Sequence, residues 1–475
     1  MRKLSISLLV TVFLLLNAAG VACSAQVQLP DTPAARQCAA WLEAFNHGDR
    51  EAYRDFLQKN FPSRAEHLDQ ELDFRERVGG FELRKVEEST AAKLVALVQE
   101  RGSDQFARLT LEVEAAEPHR ITSMGLEAIP RPAEFPLPHM SESELIAAVQ
   151  KKLEPDAAAG RFAGAVLVSK NGKPIFAEAY GFADRERKIP DTLTTRFRIG
   201  SMNKMFTAVA TLQLVQAGKL GLNDALGKYL ADYPNKDVAK VTIHQLLTHT
   251  GGTGDIFGPE FDAHRLELRT LQDYVKLYGN RGPKFEPGSH WEYSNYGFIL
   301  LGVMIEKVSG ESYYDYVREH IYTPAGMAST GSDPEDKAVI DRSVGYTKAN
   351  ASNQWQPNTD TLPYRGTSAG GGYSTVEDLL KFANALQENK LLNAHFTELL
   401  TAGKAGTPDS SYAYGFGDHT LNGTRCFGHG GGAPGMNGDL KICPGPGYVV
   451  AVLANMDPPA ASRISDFIAN RLPQR

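Results

Sequence analysis

Between residues 108 and 114 apolar and polar side chains alternate strictly. Leu109, Leu111 and Val113 interleave with Arg108, Thr110, Glu112 and Glu114, the period of a half-buried strand. Upstream the period is helical. Thr32 as N-cap with Pro33 at the first helical position predicts a helix through Trp41, Leu42 and Phe45 that stops at His47-Gly48. A second amphipathic helix carries Tyr53, Phe56 and Leu57, and residues 81–86 and 94–98 are weaker strand candidates. Helices followed by antiparallel strands predict a small α+β domain over residues 30–130. Pro130, Pro132, Pro136 and Pro138 then make residues 131–139 a stiff linker.

From residue 140 the pattern changes. Ser141 and Glu144 form a capping box ahead of a helix with Leu145, Ile146 and Val149. Two apolar runs, 162–168 and 174–177, flank Asn171-Gly172 and predict a hairpin. Residues 207–218 are apolar on nearly every side and end in Gly218, which predicts a buried central helix. A mostly helical stretch follows, with Ser374 and Glu377 as the expected cap of a helix through Leu379, Leu380 and Phe382. The chain closes with a strand at 448–453 and a helix at 464–472. Strands at both ends and helices between them predict an antiparallel sheet flanked by helices, with an inserted helical subdomain and a site in the cleft between the two.

A chain of 475 residues exceeds one ordinary core and suggests two or more domains. The net charge of -6, from 50 basic against 56 acidic residues, argues against a nucleic-acid surface. Residues 1–25 differ in kind: Arg2 and Lys3, an apolar run from 4 to 16, then small residues. This is the pattern of a secretory signal peptide, so an exported protein is expected, periplasmic or secreted. Two processing routes fit. Gly20-Val21-Ala22-Cys23 resembles a lipoprotein box, which would attach the chain to a membrane through a lipid on Cys23; cleavage after Ala25 would release it. Cys38 shares a helical face with Leu42 and Phe45 and reads as a buried, inert thiol. Cys426 and Cys443 flank the turn-rich stretch 430–438, and a hairpin centred near Pro434-Gly435 would set them opposite each other as a cross-strand disulfide. Zinc-type spacings and a phosphate-cradling loop before a helix are both missing, so neither metal nor cofactor is expected.

Three constellations carry chemistry. Ser201 and Lys204, three apart at a helix start, share a face, so the amine can reach the hydroxyl. Met202, Met205 and Phe206 would desolvate the lysine and favour its neutral, proton-accepting form. Tyr293-Ser294-Asn295 follows the turn Glu286-Pro287-Gly288 and precedes the apolar helix 298–305. There a phenol can exchange protons, and the Asn295 amide can orient Lys204 or bind a substrate carbonyl. His429-Gly430-Gly431-Gly432 ends a short strand, 424–428, whose glycines admit close backbone approach. His249-Thr250-Gly251 has the same form, but it follows the helical Gln245-Leu246-Leu247 and precedes Tyr293, so chain order favours His429.

In that order, Ser201-x-x-Lys204, Tyr293-x-Asn295 and His429-x-Gly431 resemble the three motifs of the serine β-lactamase and penicillin-binding-protein superfamily. The tyrosine resembles its class C-like branch, which includes D-alanyl-D-alanine carboxypeptidases, D-aminopeptidases and family VIII esterases. The stretches 246–252, 324–327 and 368–375 are also similar to that branch, and the resemblance spans 140–475. It implies a β-lactamase/transpeptidase-like fold and a serine hydrolase. Ser201 would attack a carbonyl, Lys204 and Tyr293 would share its proton, and the backbone N–H groups of Ser201 and Gly432 would hold the oxyanion. Asn295, His429 and Gly431 would contact a small-molecule or peptide substrate. Histidine where β-lactamases carry lysine removes a fixed cation for a substrate carboxylate. The readings left open are an esterase, amidase or peptidase, a D-alanyl-D-alanine carboxypeptidase or penicillin-binding protein, and a catalytically idle ligand- or peptide-binding protein. The first domain resembles the NTF2-like fold through residues 32–57 and its later strands.

Overall fold

The computed structural model describes residues 27–348, 354–407 and 410–474. The expected leader, with Cys23 and both processing sites, lies outside the described residues. The chain divides between Ala133 and Glu134 into two compact units.

In the first unit three helices, Pro33–His47, Arg50–Asn60 and Leu68–Val78, precede a four-stranded antiparallel sheet ordered as in the sequence. The Thr32 hydroxyl accepts from the Ala35 amide at 3.2 Å, and Gly48 ends the first helix in the left-handed region, φ +73°. Cys38, Trp41, Leu42 and Phe45 bury against Leu94, Ala96, Val98, Leu109 and Leu111, so the alternating strand turns its leucines inward. Burial pushes the Cys38 thiol up to about 12, and it stays protonated. Two elements escaped the pattern. The helix Leu68–Val78 buries only Leu68, Glu71 and Val78, and the edge strand Ile121–Ile129 is mostly solvated, so neither shows a clear apolar period.

The second unit is built on an eight-stranded antiparallel sheet. Its order is Ala405–Thr407, Ser410–Tyr412, Gly417–Leu421, Thr424–Ala433, Met436–Cys443, Tyr448–Ala454, Gly164–Lys170, Lys173–Tyr180. The strands Tyr448–Ala454 and Gly164–Lys170 are almost wholly apolar because both faces are covered. Val166, Val168, Val450 and Val452 pack on Leu145, Val149 and Leu153 of the helix Glu142–Ala158 and on Ile464 and Ile468 of the helix Ala460–Ala469. Ala165, Leu167, Ala451 and Leu453 face the other way, into the core of the helical insertion. The central helix, Asn203–Gln216, lies in that core with eleven of its residues buried. Cys426 and Cys443 stand opposite each other across the hairpin and are joined by a disulfide, Cα–Cα 4.2 Å. One expected cap shifts by a residue. Thr375, not Ser374, accepts from the Asp378 amide at the start of helix Val376–Gln387, while Ser374 hydrogen-bonds the Thr330 hydroxyl at 2.8 Å. Thr375 offers the same capping oxygen one position later, with Asp378 in the first turn, so spacing alone did not separate the two.

Candidate active site

Ser201 stands in the turn between the strand Phe197–Gly200 and the central helix. That strand is anchored from behind: both terminal nitrogens of Arg198 donate to the Glu335 carboxylate at 2.6 Å. In front of it passes the strand Thr424–Ala433. A methyl group built on Gly431 would lie 1.9 Å from the Ile199 carbonyl oxygen and 3.1 Å from the Ser201 amide. One built on Gly200 would lie 3.0 Å from the Gly432 amide. The glycines are what let this strand lie against the Ser201 turn, with the Ser201 and Gly432 amides on adjoining segments. Pairing with Gly417–Leu421 stops at Gly428, whereas residues 429–433 pair only toward Met436–Cys443 in the ladder. The other edge of His429 to Ala433 is thus left open beside Ser201.

Lys204, on the first turn of the central helix, is wholly buried. Its Nζ donates to Asn295 Oδ1 and to the Ala369 carbonyl, each at 2.7 Å, and lies 3.4 Å from Ser201 Oγ. It also sits 4.6 Å from the Tyr293 ring centre. Burial pushes its pKa down to about 7, with the Asp255 charge opposing the shift. A neutral amine has two N–H bonds and one lone pair. Asn295 and Ala369 present only acceptor oxygens and occupy both N–H bonds, so the lone pair is left for the Ser201 hydroxyl.

Tyr293 and Asn295 arrive together at the start of the helix Asn295–Ser309, capped by Ser294, whose hydroxyl accepts from the Gly297 amide at 2.9 Å. Burial pushes the Tyr293 pKa above the ordinary tyrosine value, and a hydrogen bond with Ser201 opposes the shift. The phenol is therefore protonated at neutral pH. Asn295 donates from Nδ2 to Asp255 Oδ1 at 2.9 Å. Asp255 is fixed in turn by the Ile256 amide at 2.6 Å.

His429 is half-buried at the end of the open strand edge. Its Nδ1 donates to the Gly430 carbonyl, so Nε2 is the acceptor for the Tyr412 hydroxyl at 3.0 Å. Burial and the neighbouring Lys204 push its pKa down to about 4, and the ring is neutral at pH 7. His249 is not on a strand, yet it belongs to the same cluster. Its ring lies 4.3 Å from that of Tyr293 and 4.6 Å from that of Tyr412, and its Nδ1 accepts the Ser294 amide at 3.1 Å.

The structure thus gathers Ser201, Lys204, Tyr293, Asn295, His429, Gly431 and Gly432 at one place. It adds Asp255, Tyr412 and the Ala369 carbonyl, which sequence reasoning missed, and it gives His249 a place under Tyr293. Ala369 falls within a family-like stretch, but a backbone acceptor leaves no mark in the residue type. Asp255 lies three residues beyond another such stretch. Among the described residues no cluster of His, Cys, Asp and Glu could hold a metal ion.

The family description Beta-lactamase matches residues 148–474. The chain belongs to this family. Penicillin-binding protein 4* of Bacillus subtilis is 30% identical over 295 residues, 58% of this chain and 64% of that one. The chain spans just under two thirds of the length of the curated relatives it matches, 66% and 64% for two from Bacillus subtilis. Among solved family structures, a penicillin binding protein from Bacillus halodurans is 33% identical at TM-score 0.61, covering 67% of this chain and 98% of that one. A D-stereospecific amidohydrolase from Streptomyces sp. is 29% identical at TM-score 0.59, covering 69% and 98%.

Proposed function

We propose that this protein is a serine hydrolase that forms an acyl-enzyme on Ser201 from an amide, peptide or ester. The observation that carries this reading is the buried Lys204 amine, poised near neutrality with its lone pair left for Ser201 Oγ. Lys204 takes the Ser201 proton as Oγ attacks the carbonyl carbon. The Ser201 and Gly432 amides receive the oxyanion, each donor worth roughly 3 kcal/mol. The C–X bond then breaks, and Tyr293 gives its proton to the leaving group and regains one from the Lys204 ammonium. Water releases the acyl group by the reverse relay. Asn295 orients Lys204, while His429 and Gly431 line the substrate edge.

The relatives named as penicillin-binding proteins and as an amidohydrolase support substrates with an amide bond. A neutral His429 supports amidase, peptidase or esterase action over efficient β-lactam hydrolysis. The second reading, a D-alanyl-D-alanine carboxypeptidase, rests on the same relatives. The test is intact mass after a fluorophosphonate probe and, separately, penicillin, on the wild type and Ser201→Ala. A Ser201-dependent phosphonyl adduct is expected; a persistent penicilloyl adduct would favour the carboxypeptidase. Labelling by neither reagent would leave a ligand-binding protein.

We read the protein as exported, through its signal-like leader, with lipidation at Cys23 one route to a membrane; the Cys426–Cys443 disulfide supports an oxidising compartment. We read the first unit as NTF2-like, from its helices backed by a four-stranded antiparallel sheet, and as a scaffold or docking module.

A further inference from the structure

The relay above fixes where the leaving group must be. It takes its proton from Tyr293, so it lies against the groups that surround that phenol. Those groups form one continuous aromatic wall. Tyr412 stands 4.6 Å from His249, 5.8 Å from His429 and 6.2 Å from Trp291, ring centre to ring centre, and its hydroxyl reaches His429 Nε2. Trp291 comes two residues before Tyr293, packs edge-on to His249 at 6.0 Å, and keeps 50% of its surface in water. An indole left half exposed against His249 and Tyr412 offers apolar area that a ligand can cover.

The wall carries no charge at pH 7. Burial holds His249 far below its ordinary pKa and His429 at about 4, and holds Tyr412 well above its ordinary value. The ionisable groups around it are Lys204, whose donors are taken up by Asn295 and Ala369, Asp255 and Asp439, which repel anions, and Lys284, already paired with the Glu292 carboxylate at 2.5 Å next to Trp291, so none offers an unpaired cation. A carboxylate on the leaving group would lose its water against this surface and gain no cation in return. An uncharged ring would stack on Trp291 and Tyr412 at no such cost.

We infer that Trp291, Tyr412 and His429 form the leaving-group subsite, and that the leaving group this enzyme accepts is uncharged and aromatic or otherwise apolar. The inference rests on the acyl-enzyme reading above.

The test compares two acetate esters of equal size, 4-acetoxybenzamide and 4-acetoxybenzoate, each rate divided by that ester's hydroxide-catalysed rate. For the wild type kcat/KM is expected to favour the benzamide ester by about tenfold or more. Trp291→Ala is expected to lower kcat/KM for the benzamide ester roughly tenfold while changing that for ethyl acetate less than about twofold. His429→Lys, which returns a cation to the wall, is expected to narrow the preference. Equal or faster turnover of the carboxylate ester by the wild type, or no effect of Trp291→Ala on the benzamide ester, would overturn the subsite. Turnover that persists in Ser201→Ala would instead sink the serine assignment, so the two failures are distinguishable.

Discussion

Asp255 holds the Asn295 side chain by its nitrogen, at 2.9 Å, and thereby turns the carbonyl end toward Lys204. Without that anchor the amide is free to rotate and offer N–H groups to an amine that needs an acceptor. Asp255→Ala is therefore expected to lower kcat by ten- to hundredfold, roughly 1.5–3 kcal/mol, the worth of a hydrogen bond to a charged group. Asp255→Asn separates orientation from charge. Its oxygen can still accept from Asn295, but the negative charge that raises the Lys204 pKa is gone. The acid limb of the rate profile should then move to lower pH with a smaller loss of kcat. An acid limb that stays put in Asp255→Asn would show that the carboxylate does not tune the lysine.

The wild-type pH profile follows from the same groups. Lys204 must be neutral to accept the Ser201 proton, and its pKa is pushed down to about 7. For an ester that does not ionise, kcat/KM should rise with pH and level off above about 7. Tyr293 is held above its ordinary value, so it should stay protonated through the mildly alkaline range. Steady-state assays across pH 5 to 10 would check this; a rate still climbing at pH 10, towards the ordinary lysine value of ~10.4, would show that burial does not lower the Lys204 pKa.

Burying that lysine also links stability to pH. The folded group loses its proton above about 7, whereas the unfolded lysine keeps its proton up to ~10.4. Below both values folding releases no proton from this site. Between them folding releases one, so raising the pH stabilises the native state. Wild-type stability relative to Lys204→Met should therefore increase from pH 7 towards pH 10, read as the difference in urea midpoints. A difference that stays flat over that window would mean that Lys204 keeps its charge in the fold.

Much of this site was legible because its parts are local. Ser201 and Lys204 are three residues apart, Tyr293 and Asn295 two, and each pair is placed by a single helix start. The sheet's apolar strands and the central helix were legible for the same reason, through apolar runs and their punctuation, whereas the strands Ala405–Thr407, Ser410–Tyr412 and Gly417–Leu421 have no such run and were not. What the pattern hid is long-range. The contact of Lys204 with the Ala369 carbonyl spans 165 positions and involves a backbone atom. Asp255 reaches Asn295 across 40 positions, and Tyr412 meets His429 only because a strand edge ends at Gly428. Chain order separates His249 from the third motif, but order says nothing about which loops fold beneath Tyr293.

The glycines of the third motif have unequal work to do, and the difference is measurable. On Gly431 a methyl group would meet the Ile199 carbonyl at 1.9 Å, backbone against backbone, with the Ser201 amide at 3.1 Å. Relieving that overlap means pushing the strand away from the Ser201 turn, which also draws the Gly432 amide out of line. On Gly430 the nearest atom would be the Gly438 carbonyl oxygen at 3.6 Å, an ordinary contact. Gly431→Ala is accordingly expected to cost about 3 kcal/mol or more of stability and to abolish esterase turnover, whereas Gly430→Ala should stay within about 1 kcal/mol of wild type. Urea unfolding of the two variants, with fluorophosphonate labelling of each, checks both halves. Equal stability and equal labelling would mean that the strand does not press on the nucleophile turn.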